Sequence, residues 1–404
     1  MTKPRRRQAG EGGISEYPTK SGVRYLIKYG YTREDGSRGT VLKRGFPTRK
    51  AAAEELRARL TSVDRGSHVA PNRVTVDEHF TVWLAGLRKQ PSTVASYSKN
   101  VRLHVVPYLG ALRLDQLTGS RLTRLYRQLE SEGRADGSGG LSPRTVRYIH
   151  TIVHSGLSAA VRDGLVAQNA ADKADPPSAK AAASPEMQFW TAPELRAFLE
   201  HRRRVNDELL PAWHLISYTG MRRGEALALR WGDVDLDAAR LSVRRGVTVV
   251  KNKGQGQQVL VGITKTPHSR RTVDLDANTV AMLRAYKAAR GLISLSLARD
   301  DALILGDVDG RVRHPERFSR RWDTAVRQAM GASSDIELPK IRLHDLRHTH
   351  ATLLLASNVP VKVVSERLGH ANATITLGTY AHVMPGMQAE AAAKFGALMT
   401  EGAS

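Results

Sequence analysis

Near the C-terminus, residues 368–383 read LGHANATITLGTYAHV, with His370 ten residues before Tyr380. A lone tyrosine in this part of a chain is ordinarily a packing residue, so the stretch by itself does not predict a nucleophile. Its interpretation depends on three polar segments that lie upstream of it.

Two of these segments combine glycine with charged residues. Residues 219–227 read TGMRRGEAL, and Arg222 and Glu225 lie three apart, so they share one face of a helix. By itself this spacing is typical of a surface ion pair. Residues 262–273 read GITKTPHSRRTV and predict a β-hairpin with Lys265 just before its turn. A lysine in that place is ordinarily solvated.

The third segment, residues 344–350, reads HDLRHTH. On a helix, His344 and Arg347 lie on one face. His344 and His348 are four residues apart, a spacing that is also compatible with a zinc site. The chain has no HExxH motif, no cysteine and no evident third ligand, so zinc binding is the weaker interpretation.

Taken together and in this order, the four segments resemble the active-site blocks of tyrosine recombinases of the phage-integrase family. The resemblance covers roughly residues 186–390. It implies that five side chains surround a scissile phosphate and that a sixth attacks it. The five are Arg222, Lys265, His344, Arg347 and His370, and the attacking residue is Tyr380. Glu225 matches an acidic position that supports the site.

These residue types suit phosphoryl chemistry. Arg222 and Arg347 are permanently charged and can donate paired hydrogen bonds to phosphate oxygens, so with His370 they can replace metal ions. A tyrosine has a reference pKa near 10 and needs help to attack. His344 is one candidate base; alternatively, it holds the phosphate while Arg347 lowers the phenol pKa. The resemblance implies Lys265 as proton donor to the leaving 5′ oxygen, and no cofactor is expected.

Composition favours a polyanionic partner. The 404 residues include 62 Lys and Arg against 39 Asp and Glu, a net charge of +23, which favours nucleic acid first and an acidic membrane surface second. Aromatic residues are 5% of the chain, which disfavours a base-stacking groove for single strands and fits duplex DNA. No apolar run approaches 18 residues, so we expect no membrane span and a location in the bacterial cytoplasm, with the nucleoid.

The sequence predicts an α+β multidomain protein. Thr48 is placed to cap a helix that starts at Arg49, and Ser142-Pro143 starts another. With the resemblance, we expect a small N-terminal three-stranded β-sheet plus helix, an all-α core-binding domain, and a mainly α catalytic domain with a small antiparallel sheet. The predicted bounds are 1–65 for an arm-type DNA-binding domain, 66–73 for a linker, 74–178 for the core-type domain, 179–185 for a second linker and 186–404 for the catalytic domain.

The leading functional hypothesis is an integrase that joins a mobile element or phage genome to a chromosome. Its expected partners are duplex DNA attachment sites and three further copies in a homotetramer on DNA, with an excisionase or a host DNA-bending protein as candidate helpers. A second hypothesis keeps the chemistry for resolving dimers, inverting segments or relaxing supercoils. A third is a non-enzymatic DNA-binding protein, which the six competent residue types disfavour.

Overall fold

A computed structural model describes residues 12–32, 36–64, 73–183, 186–252, 256–263, 270–332 and 337–380, and positions 392, 393, 395–397 and 399. Lys265 and the predicted hairpin turn around it lie outside these residues. The chain divides into two compact units, Met1–Ser184 and Pro185–Ser404. The finer division of the first unit into an arm-type and a core-type domain stays a prediction. None of the described helices is long and apolar enough to cross a bilayer.

The first unit begins with an antiparallel sheet and one helix. The strands are β1 (Gly13–Thr19), β2 (Gly22–Thr32) and β3 (Arg38–Phe46), paired in that order, and α1 (Arg49–Asp64) follows. The Thr48 hydroxyl accepts a hydrogen bond from the Ala51 amide at 3.2 Å, which is the predicted cap. Ile27 of β2 and Leu56 of α1 are buried between the two layers. The predicted sheet plus helix is confirmed.

The rest of this unit is helical, as predicted. Its helices are α2 (Val76–Ala85), α3 (Pro91–His104), α4 (Val106–Leu109), α5 (Gly119–Glu132) and α6 (Pro143–Arg162). The Ser142 hydroxyl caps α6 and Pro143 occupies its first turn, where a missing amide hydrogen costs nothing. Phe80, Leu122, Tyr126 and Ile149 are completely buried and join α2, α5 and α6 in one apolar core.

The second unit is mainly α-helical around an aromatic core. Its helices are α7 (Ala192–Arg204), α8 (Leu210–Thr219), α9 (Arg223–Leu227), α10 (Ala277–Ile293), α11 (Pro315–Met330), α12 (Asp345–Ala356), α13 (Val361–Leu368) and α14 (Ala373–Tyr380). Trp190, Trp213 and Trp322 are completely buried at its centre. The Trp322 ring contacts both of the others, with its centroid 5.5 Å from that of Trp190 and 5.3 Å from that of Trp213. The same core includes Leu227 of α9 and Leu346 of α12, the helices that carry the first and third polar segments.

Two small antiparallel sheets lie between α9 and α10. One has the order β4 (Val234–Asp235), β5 (Arg240–Val243), β8 (Arg271–Asp274), and the other pairs β6 (Arg245–Asn252) with β7 (Gly256–Ile263). The predicted hairpin between residues 262 and 273 is therefore wrong, because β8 pairs with β5 and β7 pairs with β6. Pairing with β5 brings Val273 opposite Leu241, and both are buried. The largely exposed β7 offers no such burial.

Candidate active site

Arg347 lies in the first turn of α12 and is buried, with 3% of its surface exposed. Its Nη1 donates to the Gly220 carbonyl at 2.8 Å and its Nη2 donates to the Leu368 carbonyl at 2.7 Å. Burial, followed by the positive charge of Arg222, lowers the pKa of this guanidinium to about 9. Both acceptors are neutral carbonyls, so the charge of Arg347 is held in place without being cancelled by them.

The two carbonyls meet because two helices end at the same place. Gly220 closes α8 in the left-handed conformation, with φ of 63°, and its carbonyl turns towards α12. A Cβ atom at this position would lie 2.7 Å from Leu368 Cδ2 and 2.8 Å from His350 Cδ2. Only glycine meets both demands, a positive φ and a close approach. The glycine of the first polar segment thus positions an arginine of the third.

Glu225 holds two further guanidinium groups. Its Oε1 accepts from Arg222 Nη1 at 2.9 Å, and its Oε2 accepts from Arg271 Nη2 at 2.9 Å and from the Arg222 amide at 3.0 Å. Burial acts to raise the pKa of this carboxyl, but the hydrogen bonds from Arg271 and Arg222 lower it below its usual value. The Arg222 side chain stays 39% exposed, so Glu225 orients it without closing it off from a ligand.

Two histidines stand among these cations. Burial, then the charges of Arg347 and Arg222, lowers the pKa of His370 to about 4, and its Nδ1 lies 2.8 Å from the Thr376 hydroxyl. Burial and Arg347 also lower the pKa of His344, which stands at the start of α12. Both rings are therefore neutral at pH 7. A bound anion would offset the cations and make protonation of either ring easier.

Tyr380 ends α14 with its side chain buried at 1% exposure. Its hydroxyl lies 2.8 Å from His348 Nδ1. Burial raises the pKa of the phenol to about 12, although the charge of Arg347 acts to lower it. The sequence offered His344 as the candidate base, but the ring that contacts the hydroxyl is that of His348. The His344 and His348 rings meet edge to face at 5.2 Å.

Six of the seven residues singled out from the sequence thus belong to one cluster. Arg347 interacts electrostatically with Arg222, Glu225 and Tyr380. His344 and His370 each interact with both Arg222 and Arg347. A cleft of about 500 Å³ opens beside Arg222 and His344. Such a set of preorganised cations beside a phenol can bind an oxyanion and present a nucleophile to it. Lys265, the seventh, lies outside the described residues.

Residues 189–386, which contain this whole cluster, match the model of the phage integrase family. The chain carries a region, nearly half of its length, that belongs to the phage integrase family of tyrosine recombinases. It is therefore an enzyme of the class that breaks and rejoins DNA strands. The fold expected from the resemblance and the family expected from the four segments are both confirmed.

Relatives of this recombinase match it along most of its length. A tyrosine recombinase XerC-like protein of Caldanaerobacter subterraneus is 25% identical over 363 residues, which cover 86% of this chain and 90% of the relative. The ICEBs1 integrase of Bacillus subtilis is 25% identical over 380 residues, covering 92% and 96%. The integrase of Mycobacterium phage L5 is 26% identical over 316 residues, covering 76% and 75%.

Solved structures share the fold of the recombinase. The Tn1549 transposon integrase in complex with transposon right-end DNA aligns with a TM-score of 0.62 at 18% identity, over 76% of this chain and 94% of that one. A lambda integrase dimer bound to a COC′ core site aligns with a TM-score of 0.53 at 16% identity, over 95% and 96%. The aligned residues extend beyond the catalytic segments into the N-terminal unit.

Two residues of the cluster were not assigned to the active site from the sequence. Arg271 follows Arg270 directly, and no local rule says which of the two faces inward; the register of β8 decides it. His348 was considered only as a zinc ligand. Its position next to Arg347 in the sequence was the feature that could have pointed to the active site. The contact with Tyr380, however, depends on where α14 packs.

Proposed function

We propose that this recombinase is an integrase in which Tyr380 attacks a phosphodiester of duplex DNA and forms a 3′-phosphotyrosyl bond. The observation that carries the proposal is the buried Arg347 guanidinium, which is fixed by two carbonyls and interacts electrostatically with Arg222 and Tyr380. A buried cation beside a phenol is not expected to stabilise the fold, because transferring a charge out of water costs free energy. This free-energy cost is explained if the Arg347 guanidinium binds a phosphate group in the DNA complex.

The proposed role of the cations is to stabilise the pentavalent transition state. Its non-bridging oxygens carry more negative charge than those of the ground state, and fixed donors favour that state. Arg347 and Arg222 supply permanent charge. His370 and His344 are neutral in the free protein and would donate hydrogen bonds to the same oxygens, becoming easier to protonate once phosphate is bound.

Lys265 is the proposed proton donor to the departing 5′ oxygen. Its support is its place in the TKTPHSRRTV segment, directly after β7 and before β8, whose Arg271 contacts Glu225. The tyrosyl phosphodiester keeps the energy of the broken bond, so a 5′ hydroxyl from another strand can reverse the reaction. The exchange needs no ATP.

The names of the relatives support integration of a mobile element as the biological role. Similar proteins are called integrases of ICEBs1 and of mycobacteriophages. We propose duplex attachment sites as substrates and a homotetramer on DNA as the working form. A structural neighbour at a TM-score of 0.51 is described as a lambda integrase tetramer bound to a Holliday junction. An excisionase or a host DNA-bending protein would serve as helper, in the bacterial cytoplasm at the nucleoid.

The chemistry is tested with nicked duplexes that carry the element–chromosome junction and trap the covalent product. Wild type should give a protein–DNA adduct that resists denaturation, and Tyr380→Phe should give none. Lys265→Ala should be slow on ordinary DNA and much faster when sulfur replaces the bridging 5′ oxygen, because a thiolate leaves without a proton. An adduct of normal yield from Tyr380→Phe would refute the assignment of the nucleophile.

The biological role is tested separately with two plasmids that carry the two attachment sites. Integration predicts a joined plasmid that depends on both sites. Products confined to single plasmids, or relaxed circles without exchange, would favour the resolvase or topoisomerase alternatives.

A further inference from the structure

His348 is a polar group of the active site to which the proposed reaction assigns no task. Its Nδ1 lies 2.8 Å from the Tyr380 hydroxyl, and the ring centroids are 5.7 Å apart. The hydroxyl is buried, with the residue 1% exposed, so bulk water has little access to its proton. A buried phenol that must lose a proton needs an acceptor at hydrogen-bond distance.

We propose that His348 is the general base that removes the proton of Tyr380 as the tyrosine attacks phosphorus. This inference rests on the proposed function, since it concerns the same nucleophile. In the reacting form the His348 ring is neutral and protonated on Nε2, so that the Nδ1 lone pair accepts the hydroxyl hydrogen. Geometry comes first in such an assignment, and a heavy-atom separation of 2.8 Å lies inside the range for direct transfer.

The surroundings of His348 keep it able to accept a proton. The groups that face it are His344 and Arg347 on the same helix, Asp345 and Arg342 at its start, and His370 beyond α13. Burial, then the neighbouring His344 and cations, lowers the pKa of His348 to about 4, so the ring is neutral at pH 7. The pKa of Tyr380 is about 12, so only roughly one phenol in 10⁵ ionises unaided at pH 7.

The other two histidines are less suited to this task. His370 Nδ1 lies at hydrogen-bond distance from the Thr376 hydroxyl, and its ring interacts with the Arg347, Arg222 and Arg271 charges. His344 lines the cleft beside Arg222, and its ring packs in a T-shaped contact against that of His348, with centroids 5.2 Å apart. Both are better placed to contact phosphate oxygens than to take the phenolic proton.

The proton transfers balance over one full cycle of cleavage and ligation. In cleavage the Tyr380 oxygen bonds to phosphorus, its hydrogen passes to His348 Nδ1, the bond from phosphorus to O5′ breaks, and O5′ takes a proton from Lys265. In ligation an incoming 5′ hydroxyl returns a proton to Lys265 as it attacks. The phosphotyrosyl bond then breaks, and the phenolate recovers its proton from His348. No proton has to cross to bulk water, which suits a site closed over by DNA.

The test measures single-turnover cleavage of the nicked duplex against pH. Wild type should show a rate that is level around neutrality and falls in acid as His348 becomes protonated. His348→Asn places an amide oxygen near the Nδ1 position and keeps a hydrogen-bond acceptor that is not basic. Its rate at pH 7 should fall about 10²- to 10⁴-fold, the usual contribution of a positioned base. It should then rise nearly tenfold per pH unit, because solvent must ionise the phenol.

A cavity variant guards against a merely structural effect. His348→Gly should be slow, and added imidazole should restore cleavage in proportion to the concentration of its neutral form. The matched control is His344→Asn, which should be slower than wild type but keep a level profile near neutrality and gain nothing from imidazole. Gel-shift binding of the same duplex by each variant shows that the fold and the DNA complex are retained.

Three results would overturn the assignment while leaving the nucleophile in place. They are a His348→Asn rate within threefold of wild type, a slow His348→Asn with a level profile and no imidazole rescue of His348→Gly, and rescue found for a His344 variant instead. Absence of any adduct from wild type would have a different meaning, because it would remove the proposed function and this inference together.

Discussion

Arg271 donates from Nη2 to Glu225 Oε2 at 2.9 Å, and the two side chains are 6% and 5% exposed. The Nε of the same arginine donates to the Arg367 carbonyl at 2.6 Å. One guanidinium therefore joins β8, the start of α9 and the end of α13, which are 46 and 96 residues distant in sequence. These are the segments that carry Arg222 on one side and the Leu368 carbonyl, an acceptor of Arg347, on the other. Arg271 thus supports the alignment of the two arginines that we propose as catalytic, Arg222 and Arg347.

Replacing Glu225 with Gln should weaken the whole cluster. The neutral amide removes the negative charge that pairs with both Arg222 and Arg271. Removing one member of a buried ion pair costs about 3–5 kcal/mol in the severest cases. We expect a drop of about 2–4 kcal/mol in unfolding free energy, measured by urea denaturation followed by tryptophan fluorescence. Strand cleavage should fall at least tenfold.

The control for that variant is Asp237→Asn, which removes an exposed partner of Arg284, with the two side chains 91% and 54% exposed. Exposed pairs contribute little, so its unfolding free energy should change by less than about 0.5 kcal/mol. Equal losses in the two variants would contradict a special role for the buried carboxylate.

Gly220→Ala should damage activity through geometry. The new Cβ would sit 2.7 Å from Leu368 Cδ2 on a backbone with φ of 63°, so the turn must shift and take the Arg347 acceptor with it. A loss of about 1–3 kcal/mol in stability is expected, together with slower adduct formation. Gly331→Ala is the matched control, since its nearest atom is a backbone oxygen at 4.0 Å and it ends α11 with φ of −87°. Unchanged adduct formation by Gly220→Ala would show that the carbonyl position is unimportant.

Arg347→Lys should abolish most cleavage although the charge is retained. The arginine spans two carbonyls with separate nitrogens, at 2.8 and 2.7 Å, and an ammonium cannot reproduce that fork while also reaching a phosphate. We expect the rate of adduct formation to fall about 10²- to 10³-fold, with DNA affinity nearly unchanged. Arg321→Lys, on an exposed arginine of α11, serves as control and should cleave at the normal rate. A modest effect in the Arg347 variant would mean that charge alone suffices.

Acid should destabilise the second unit through His350. Its Nδ1 lies 2.9 Å from the Ser217 carbonyl, which fixes that nitrogen as donor, and its Nε2 accepts from Arg367 Nε at 3.0 Å. Burial, then the charge of Arg367, lowers the pKa of His350 to about 3. The unfolded chain protonates this ring near pH 6.5, so stability is fully present above that pH and is lost as the pH falls towards 3.

This effect is measured as the slope of unfolding free energy against pH in wild type and His350→Gln. Between pH 6 and 4 the wild-type slope should be steeper by up to about 1.4 kcal/mol per pH unit, the value for one proton. Between pH 7.5 and 8.5 the two slopes should agree, because His350 is neutral in both states there. Identical slopes at low pH would show that the folded ring takes up its proton as readily as the unfolded one.

Local sequence was sufficient for much of the fold. The caps at Thr48 and Ser142 are satisfied by hydrogen bonds to amides three residues later, and the apolar spacing of the helices is visible in the local sequence, so both can be read without tertiary information. The sheet plus helix at the N-terminus and the helical region after it follow from such signals. The pairing of β8 with β5 could not be read this way, because burial of Val273 against Leu241 outweighs the nearness of β7 in sequence.

The sequence by itself determined which chemistry this protein can perform: two arginines, two histidines, a lysine and a tyrosine stand in an order and spacing that resemble one family. Only the tertiary structure decided which side chains meet. It selected His348 as the neighbour of Tyr380, turned Arg271 inward, and buried Arg347 between two helix ends. The physical reason is that residue type is local, whereas burial, hydrogen-bond partners and the resulting pKa values depend on segments that packing brings together from distant parts of the chain.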